Sequence, residues 1–98
     1  MEKRFYVYIL ANQTNVAIYI GVTSNLPQRI YEHKKHTDPN SFTARYNITK
    51  LVYFEDAGTE PMVALEREKQ LKGWRRAKKN ALVNSMNPTW RDLYETLF

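Results

Sequence analysis

The sequence predicts an α+β fold in which a three-stranded antiparallel or mixed sheet is flanked by helices, in the order β-β-α-β-α-α-α. Three observations carry that reading. Two continuous apolar and aromatic runs, "FYVYILA" at 5–11 and "VAIYIGV" at 16–22, bracket the polar "NQTN", which is turn chemistry between two strands. A third run of the same character, "KLVYFE", occupies 50–55. Elsewhere apolar residues return at helical spacing, with proline early and glycine late in the segments.

The hairpin comes first. A four-residue loop at 12–15 faces Ala11 with Val16, Ile9 with Ile18, Tyr8 with Tyr19 and Tyr6 with Gly21. The two tyrosines then stand opposite each other on one face. Gly21 either admits the close approach of a backbone or ligand, or simply relaxes the strand end. In "SNLPQRIYEHKK" Ser24 or Asn25 caps a helix, Pro27 sits in its first turn, and Leu26 and Ile30 define its apolar stripe. "HTDPNSFTARYN" reads as loop with a short helical turn. After the third strand, Thr59 caps a helix containing "EPMVALEREKQLK", with Glu68 and Lys72 as a supporting i,i+4 pair and Gly73 as its end. A basic helix spans about 75–86. "NPTWRDLYETLF" is expected to form a capped terminal helix that packs Trp90, Leu93, Tyr94 and Leu97 back onto the domain.

The 98 residues predict one domain, 1–98, because a chain this short cannot support two independent cores. No apolar run approaches a membrane span and no charged leader opens the chain, which predicts a soluble, cytoplasmic protein with no membrane partner. The absence of cysteine excludes a disulfide framework and a thiolate zinc site. Two histidines are too few for most zinc cages, so any metal is expected on oxygen ligands. Fifteen Lys and Arg against ten Asp and Glu give a net charge of +5 and a pI of 9.6, which favours a nucleic-acid partner. The basic residues concentrate between Arg67 and Lys79. Among them Lys72, Arg75, Arg76, Lys78 and Lys79 are candidate phosphate contacts, although any one of them is equally a solvated helix surface.

Arg29 and His33 are spaced i,i+4 and flank the Leu26 and Ile30 stripe, so both lean toward the sheet. Singly, such an arginine is ordinarily a snorkelling residue and such a histidine a half-buried polar one. Glu68 shares a face with Ala64, Leu65 and Leu71, an odd place for a carboxylate. It is either a salt-bridge partner of Arg29 or an oxygen ligand for a hard divalent cation. Together, two tyrosines, an arginine, a histidine and a carboxylate are the equipment of phosphodiester hydrolysis. A metal holds a phosphate oxygen and leaving group, a guanidinium neutralises developing charge, and a phenol or imidazole handles the proton.

These residues give the sequence a resemblance to the GIY-YIG nuclease superfamily. "YVY" at 6–8 is similar to the first signature strand, with Tyr6 where the literal motif has glycine, and "YIG" at 19–21 matches the second. "GVTSNLPQRIYEH" continues the pattern through Arg29 and His33, and "LEREKQLKGW" resembles the segment that carries the family's metal-binding glutamate. The likeness covers nearly the whole chain and is greatest to small, single-domain bacterial, excinuclease-subunit-like members. It implies that Tyr8 acts as or assists the general base and that Tyr19 positions water or phosphate. Arg29 would stabilise the transition state, His33 would support Tyr8, and Glu68 would be the single protein ligand of Mg²⁺ or Mn²⁺. The family's late asparagine is Asn87 or Asn80, and Asn87 is favoured because "NP" before a helix fixes it as a cap. The implied function is metal-dependent endonucleolytic cleavage of nucleic acid, chiefly DNA, in repair or in processing of branched or damaged strands. A protein partner would supply specificity. The alternative is a catalytically silent nucleic-acid-binding module.

Overall fold

A computed structural model describes residues 3–98. Its three strands, β1 (Tyr6–Ala11), β2 (Ile18–Thr23) and β3 (Lys50–Asp56), form a sheet in the order β2-β1-β3 with both pairings antiparallel. The helices are α1 (Leu26–Lys34), α2 (Phe42–Arg45), α3 (Pro61–Lys72) and α4 (Arg76–Met86). This is the α+β architecture that the apolar runs predict.

β1 is central, and Val7 through Ala11 are all buried, as a strand covered on both faces must be. Its alternate side chains build two cores. Val7, Ile9 and Ala11 join Ile20, Leu71 and Val83 on the α3 and α4 side. Tyr8 and Leu10 join Leu26, Ile30, Ile48 and Leu51 on the α1 side. A bulge at Val52, which has no partner between the Ile9–Tyr53 and Leu10–Leu51 pairs, turns both Val52 and Tyr53 toward the first core.

The hairpin register differs from expectation by two residues. Tyr8 pairs with Gly21, Leu10 with Tyr19 and Ala11 with Ile18, so the connection is Asn12 to Ala17 rather than 12–15. Asn12 causes the change: its backbone N–H donates to the Ala17 carbonyl and its Oδ1 accepts the Ala17 N–H, both at 3.1 Å. That closes the loop beyond Val16, which is 74% exposed instead of paired. A two-residue slip preserves side-chain parity, so Tyr8 and Tyr19 still share a face but sit diagonally.

Asn25 caps α1, its Oδ1 accepting the Gln28 N–H at 3.3 Å, and Ser41 caps α2 through the Ala44 N–H at 3.2 Å. The N-cap of α3 is Glu60 without a side-chain bond, not Thr59. The terminal segment is the main departure. Only a 3₁₀ turn forms, at Tyr94–Leu97, because Trp90 lies at φ +55° and polar side chains divert the backbone. Leu93 N–H donates to the Leu51 carbonyl at 2.7 Å, and Asp92 Oδ1 accepts the Leu51 N–H at 3.1 Å, so the segment covers the free edge of β3. The expected packing survives without the helix: Leu93, Tyr94 and Leu97 lie on the α1-side core and Trp90 on the other.

Candidate active site

Tyr8 rises from the central strand with its ring wholly buried, and its hydroxyl is hydrogen-bonded to His33 Nε2 at 3.0 Å. The ring lies over Gly21. A Cβ there would stand 2.5 Å from both Cζ and Oη of Tyr8 and 2.9 Å from Cε2 of Tyr19. The space that Gly21 opens is thus filled by the Tyr8 side chain, and glycine is required at that point of β2. Tyr19 approaches from the diagonal, its ring centroid 6.3 Å from Tyr8 and 5.6 Å from His33, so the three rings form a triangle.

His33 reaches this triangle because α1 turns the i,i+7 line of Leu26 and His33 onto the sheet. Its Nδ1 is hydrogen-bonded to Thr43 Oγ1 at 3.0 Å, and Thr43 Oγ1 lies 3.2 Å from Ser41 Oγ. A four-member chain, Tyr8–His33–Thr43–Ser41, therefore fixes the imidazole from both sides. Burial and the nearby Arg29 charge lower the His33 pKa to about 4, so the ring is neutral at pH 7, with one nitrogen donating and the other accepting. Burial, with the Tyr19 charge as a smaller contributor, raises the Tyr8 pKa to about 12, and the Arg29 guanidinium offsets part of that. Both groups are uncharged in the free protein.

The His33 shift makes a prediction about stability. Between pH 6.5 and about 4 the unfolded chain binds a proton at His33 that the folded chain does not, so stability present above pH 6.5 is lost as pH falls. Over that window the loss from this group amounts to at most ~3 kcal/mol. Urea titrations from pH 7 to pH 4 should show a smaller acid loss for His33→Gln than for the parent; parallel curves would place a charged or exposed imidazole at this position.

Arg29 is half-exposed and donates through Nη1 to Glu32 Oε1 at 3.2 Å. With Tyr19, Glu32, His33 and Thr43 it lines an open cleft of about 330 Å³. Glu68 sits on the inward stripe of α3 between buried Ala64 and Leu71, its side chain 14% exposed, whereas Leu65 faces outward. α3 packs chiefly against β2, the edge strand, and from there the Glu68 charge is felt at the Tyr8 hydroxyl. The expected alternative of an Arg29–Glu68 salt bridge is not formed: each residue pairs within its own helix, Glu68 with Lys72 at 3.6 Å.

The late asparagines and the basic helix lie elsewhere. Asn87 is buried as the C-cap of α4 and caps no following helix, the 3₁₀ turn beginning only at Tyr94. Its Nδ2 donates to the carbonyls of Val52 and Arg91 at 3.1 and 2.7 Å, and its Oδ1 accepts the Arg91 N–H at 3.3 Å, so the side chain is spent on tying β3 to the terminal segment. Asn80 Oδ1 accepts from Arg76 Nε at 2.8 Å. Arg76 also donates to the Val16 carbonyl at 2.8 Å and to that of Asn15, which locks the hairpin loop to α4. Lys78 lies over the Trp74 ring at 4.1 Å, while Arg75 is exposed and Lys79 partly so. Because Trp74, Leu82 and Val83 pack on the α3 and α4 core, this basic surface is on the opposite side of the sheet from the cleft.

Sequence reasoning missed Thr43, Ser41 and Glu32. A serine and a threonine before a short helix read as caps, and nothing in their spacing points to a histidine ten residues away.

A family model described as the GIY-YIG catalytic domain matches residues 4–81. The chain belongs to the GIY-YIG family. Searches of curated proteins and of solved structures gave no significant match. The GIY-YIG match makes this a nuclease domain, and hence one that binds nucleic acid. Tyr8, Tyr19, Arg29, His33, Glu68 and Asn80 fall within the matched span and Asn87 beyond it. No helix among the described residues is long and apolar enough to cross a membrane.

GIY-YIG nucleases generally use a divalent metal. Among the described residues no group of three or more histidine and carboxylate side chains is placed to hold a metal ion. Of the carboxylates near the tyrosines, Glu32 on the cleft wall is bonded to Arg29, and Glu68 on α3 is a hard oxygen donor within electrostatic reach of the Tyr8 hydroxyl. That donor set fits a cation such as Mg²⁺, which commonly takes one or two protein carboxylates and completes its shell with water and substrate phosphate.

Proposed function

We propose that this domain is a divalent-metal-dependent endonuclease, acting on DNA in preference to RNA, in the processing of damaged or branched strands. Its reacting phosphodiester is seated in the cleft beside Tyr8, Tyr19, Arg29 and His33. The observation that carries this is the buried Tyr8–His33 hydrogen bond standing at 3.0 Å within a ring triangle that opens onto Arg29. Such a buried, doubly anchored polar pair at a cleft floor is a costly arrangement that a purely structural sheet face does not need.

Arg29 has guanidinium surface left over from its bond to Glu32, and that surface meets the negative charge growing on the non-bridging oxygens. Tyr19 orients phosphate or water at the cleft wall. Tyr8 Oη takes the proton of the attacking water as its own proton passes to the neutral His33 Nε2, and Thr43 keeps the imidazole aimed. Bound through Glu68, Mg²⁺ or Mn²⁺ would supply Lewis-acid polarisation of the phosphate and charge neutralisation at the leaving group. Asn87 in this account holds the fold and touches no substrate.

The Glu68–Lys72 ion pair favours a second reading, because a lysine on the carboxylate competes with a cation. The domain would then be a silent binding module. The two readings separate when the purified protein is incubated with labelled DNA and RNA duplexes, single strands, flaps and junctions in Mg²⁺, Mn²⁺ or EDTA. Cleavage in metal and none in EDTA is expected; binding without cleavage in either metal selects the silent module.

A further inference from the structure

At the same cleft, α2 and its C-cap display two aromatic rings that the core does not use, Phe42 on the cleft lining and Tyr46 packed beside it. Phe42 and Tyr46 are 52% and 51% exposed, and their centroids stand 4.8 Å apart at 47°. An i,i+4 aromatic pair can serve only to stiffen a short helix. Here, however, neither ring covers the other enough to leave water, and Phe42 itself lines the cleft that holds Tyr19, Arg29 and His33. The Arg45 guanidinium lies 5.9 Å from the Tyr46 centroid, and Lys35 lies 5.6 Å from that of half-exposed Tyr31. Aromatic faces interleaved with cations are the pattern that holds a single nucleic-acid strand, the bases stacking and the backbone meeting the charges.

The charges of the cleft sort the strand further. Glu32 and Asp38 line the same cleft as Phe42, and their carboxylates repel phosphate but tolerate a base. The cation Arg29 lines that cleft too, and Arg45 stands against Tyr46. A paired base is stacked inside its helix and cannot lie on an exposed ring, so the occupant must be unpaired.

We propose that Phe42 and Tyr46 are a stacking platform for an unpaired base adjoining the phosphate in the cleft, so that the domain selects single-stranded segments over continuous duplex. The placement of that phosphate rests on the nuclease reading above, whereas the platform itself is tested without catalysis. A platform reads base faces, so DNA and RNA strands are both candidates, and parallel arms tell which is held.

The test uses the full chain in EDTA, where nothing is cut, titrated with a single strand carrying 2-aminopurine, as DNA and as RNA, and with a blunt duplex of equal length. Stacking on the rings should quench the probe. Phe42→Ala and Tyr46→Ala should each weaken single-strand binding by about 5- to 100-fold and abolish the quench, while duplex affinity stays within twofold. Phe42→Trp should restore both, which separates lost stacking from a disturbed α2. The arm with the larger loss identifies the strand. Alanine variants that hold single strands within twofold of the parent, or that lose duplex affinity equally, overturn the platform. Metal-dependent cutting that persists in those variants would leave the nuclease reading standing without it.

Discussion

Glu68→Ala is expected to abolish metal-dependent cleavage while leaving the fold and nucleic-acid affinity in EDTA within a few-fold of the parent. In the proposed site Glu68 is the metal's single protein ligand, so its loss leaves none in place. Stability should barely change. The ion pair lost among the described residues is an i,i+4 contact at 3.6 Å to half-exposed Lys72, a pairing worth about 0.5 kcal/mol or less. A buried Arg29–Glu68 pair would instead have made the same substitution cost about 3–5 kcal/mol, and the structure separates those two residues. Cleavage rates and chemical denaturation of the one variant therefore decide its role: a large loss of stability with unchanged cutting would return Glu68 to the core.

Gly21→Ala carries the second large effect. Its new methyl would stand 2.5 Å from Cζ and Oη of Tyr8, which are not the free end of a flexible side chain but part of a ring packed in the core and bonded to His33. Either β2 shifts or Tyr8 leaves its place. Overpacking of this kind costs about 1–3 kcal/mol, and a displacement near 1 Å at a reacting group costs roughly 10²-fold in rate. Gly73→Ala is the control, since its Cβ meets nothing closer than 3.5 Å. Melting curves and single-turnover rates should thus fall together for Gly21→Ala and stay near parental for Gly73→Ala. A Gly21→Ala protein with parental rate would show that the tyrosine's position is not critical.

Much of this architecture is legible in the chain because its strands are runs of β-branched and aromatic residues broken by polar turns. The register was not, for a specific reason: Val16 looks like a strand residue, yet the side chain of Asn12 closes the hairpin beyond it. Site parity survived since the slip is two residues, which returns each side chain to its own face. The terminal helix failed on similar chemistry, with Asn87 and Asp92 bonding backbone groups that a helix would have kept. Arg29 and His33 were readable from helix spacing, whereas Thr43 became visible only when the fold brought α2 against α1. Arg76, one of five cations that the sequence offers to phosphate, is committed to the hairpin loop and illustrates why a charge count overstates a binding surface.

The central claim is that Arg29 and Glu68 serve one reaction from opposite sides of the tyrosines. It is tested most directly by single-turnover cleavage rates in Mn²⁺ for the parent, Arg29→Ala, Glu68→Ala and the double variant, with affinity measured in EDTA alongside. Groups that act as a unit are strongly non-additive. The account predicts that Arg29→Ala loses about 10²-fold or more and that the double variant is no slower than Glu68→Ala alone, with EDTA affinity held within a few-fold throughout. Parental cleavage by either single variant would contradict it.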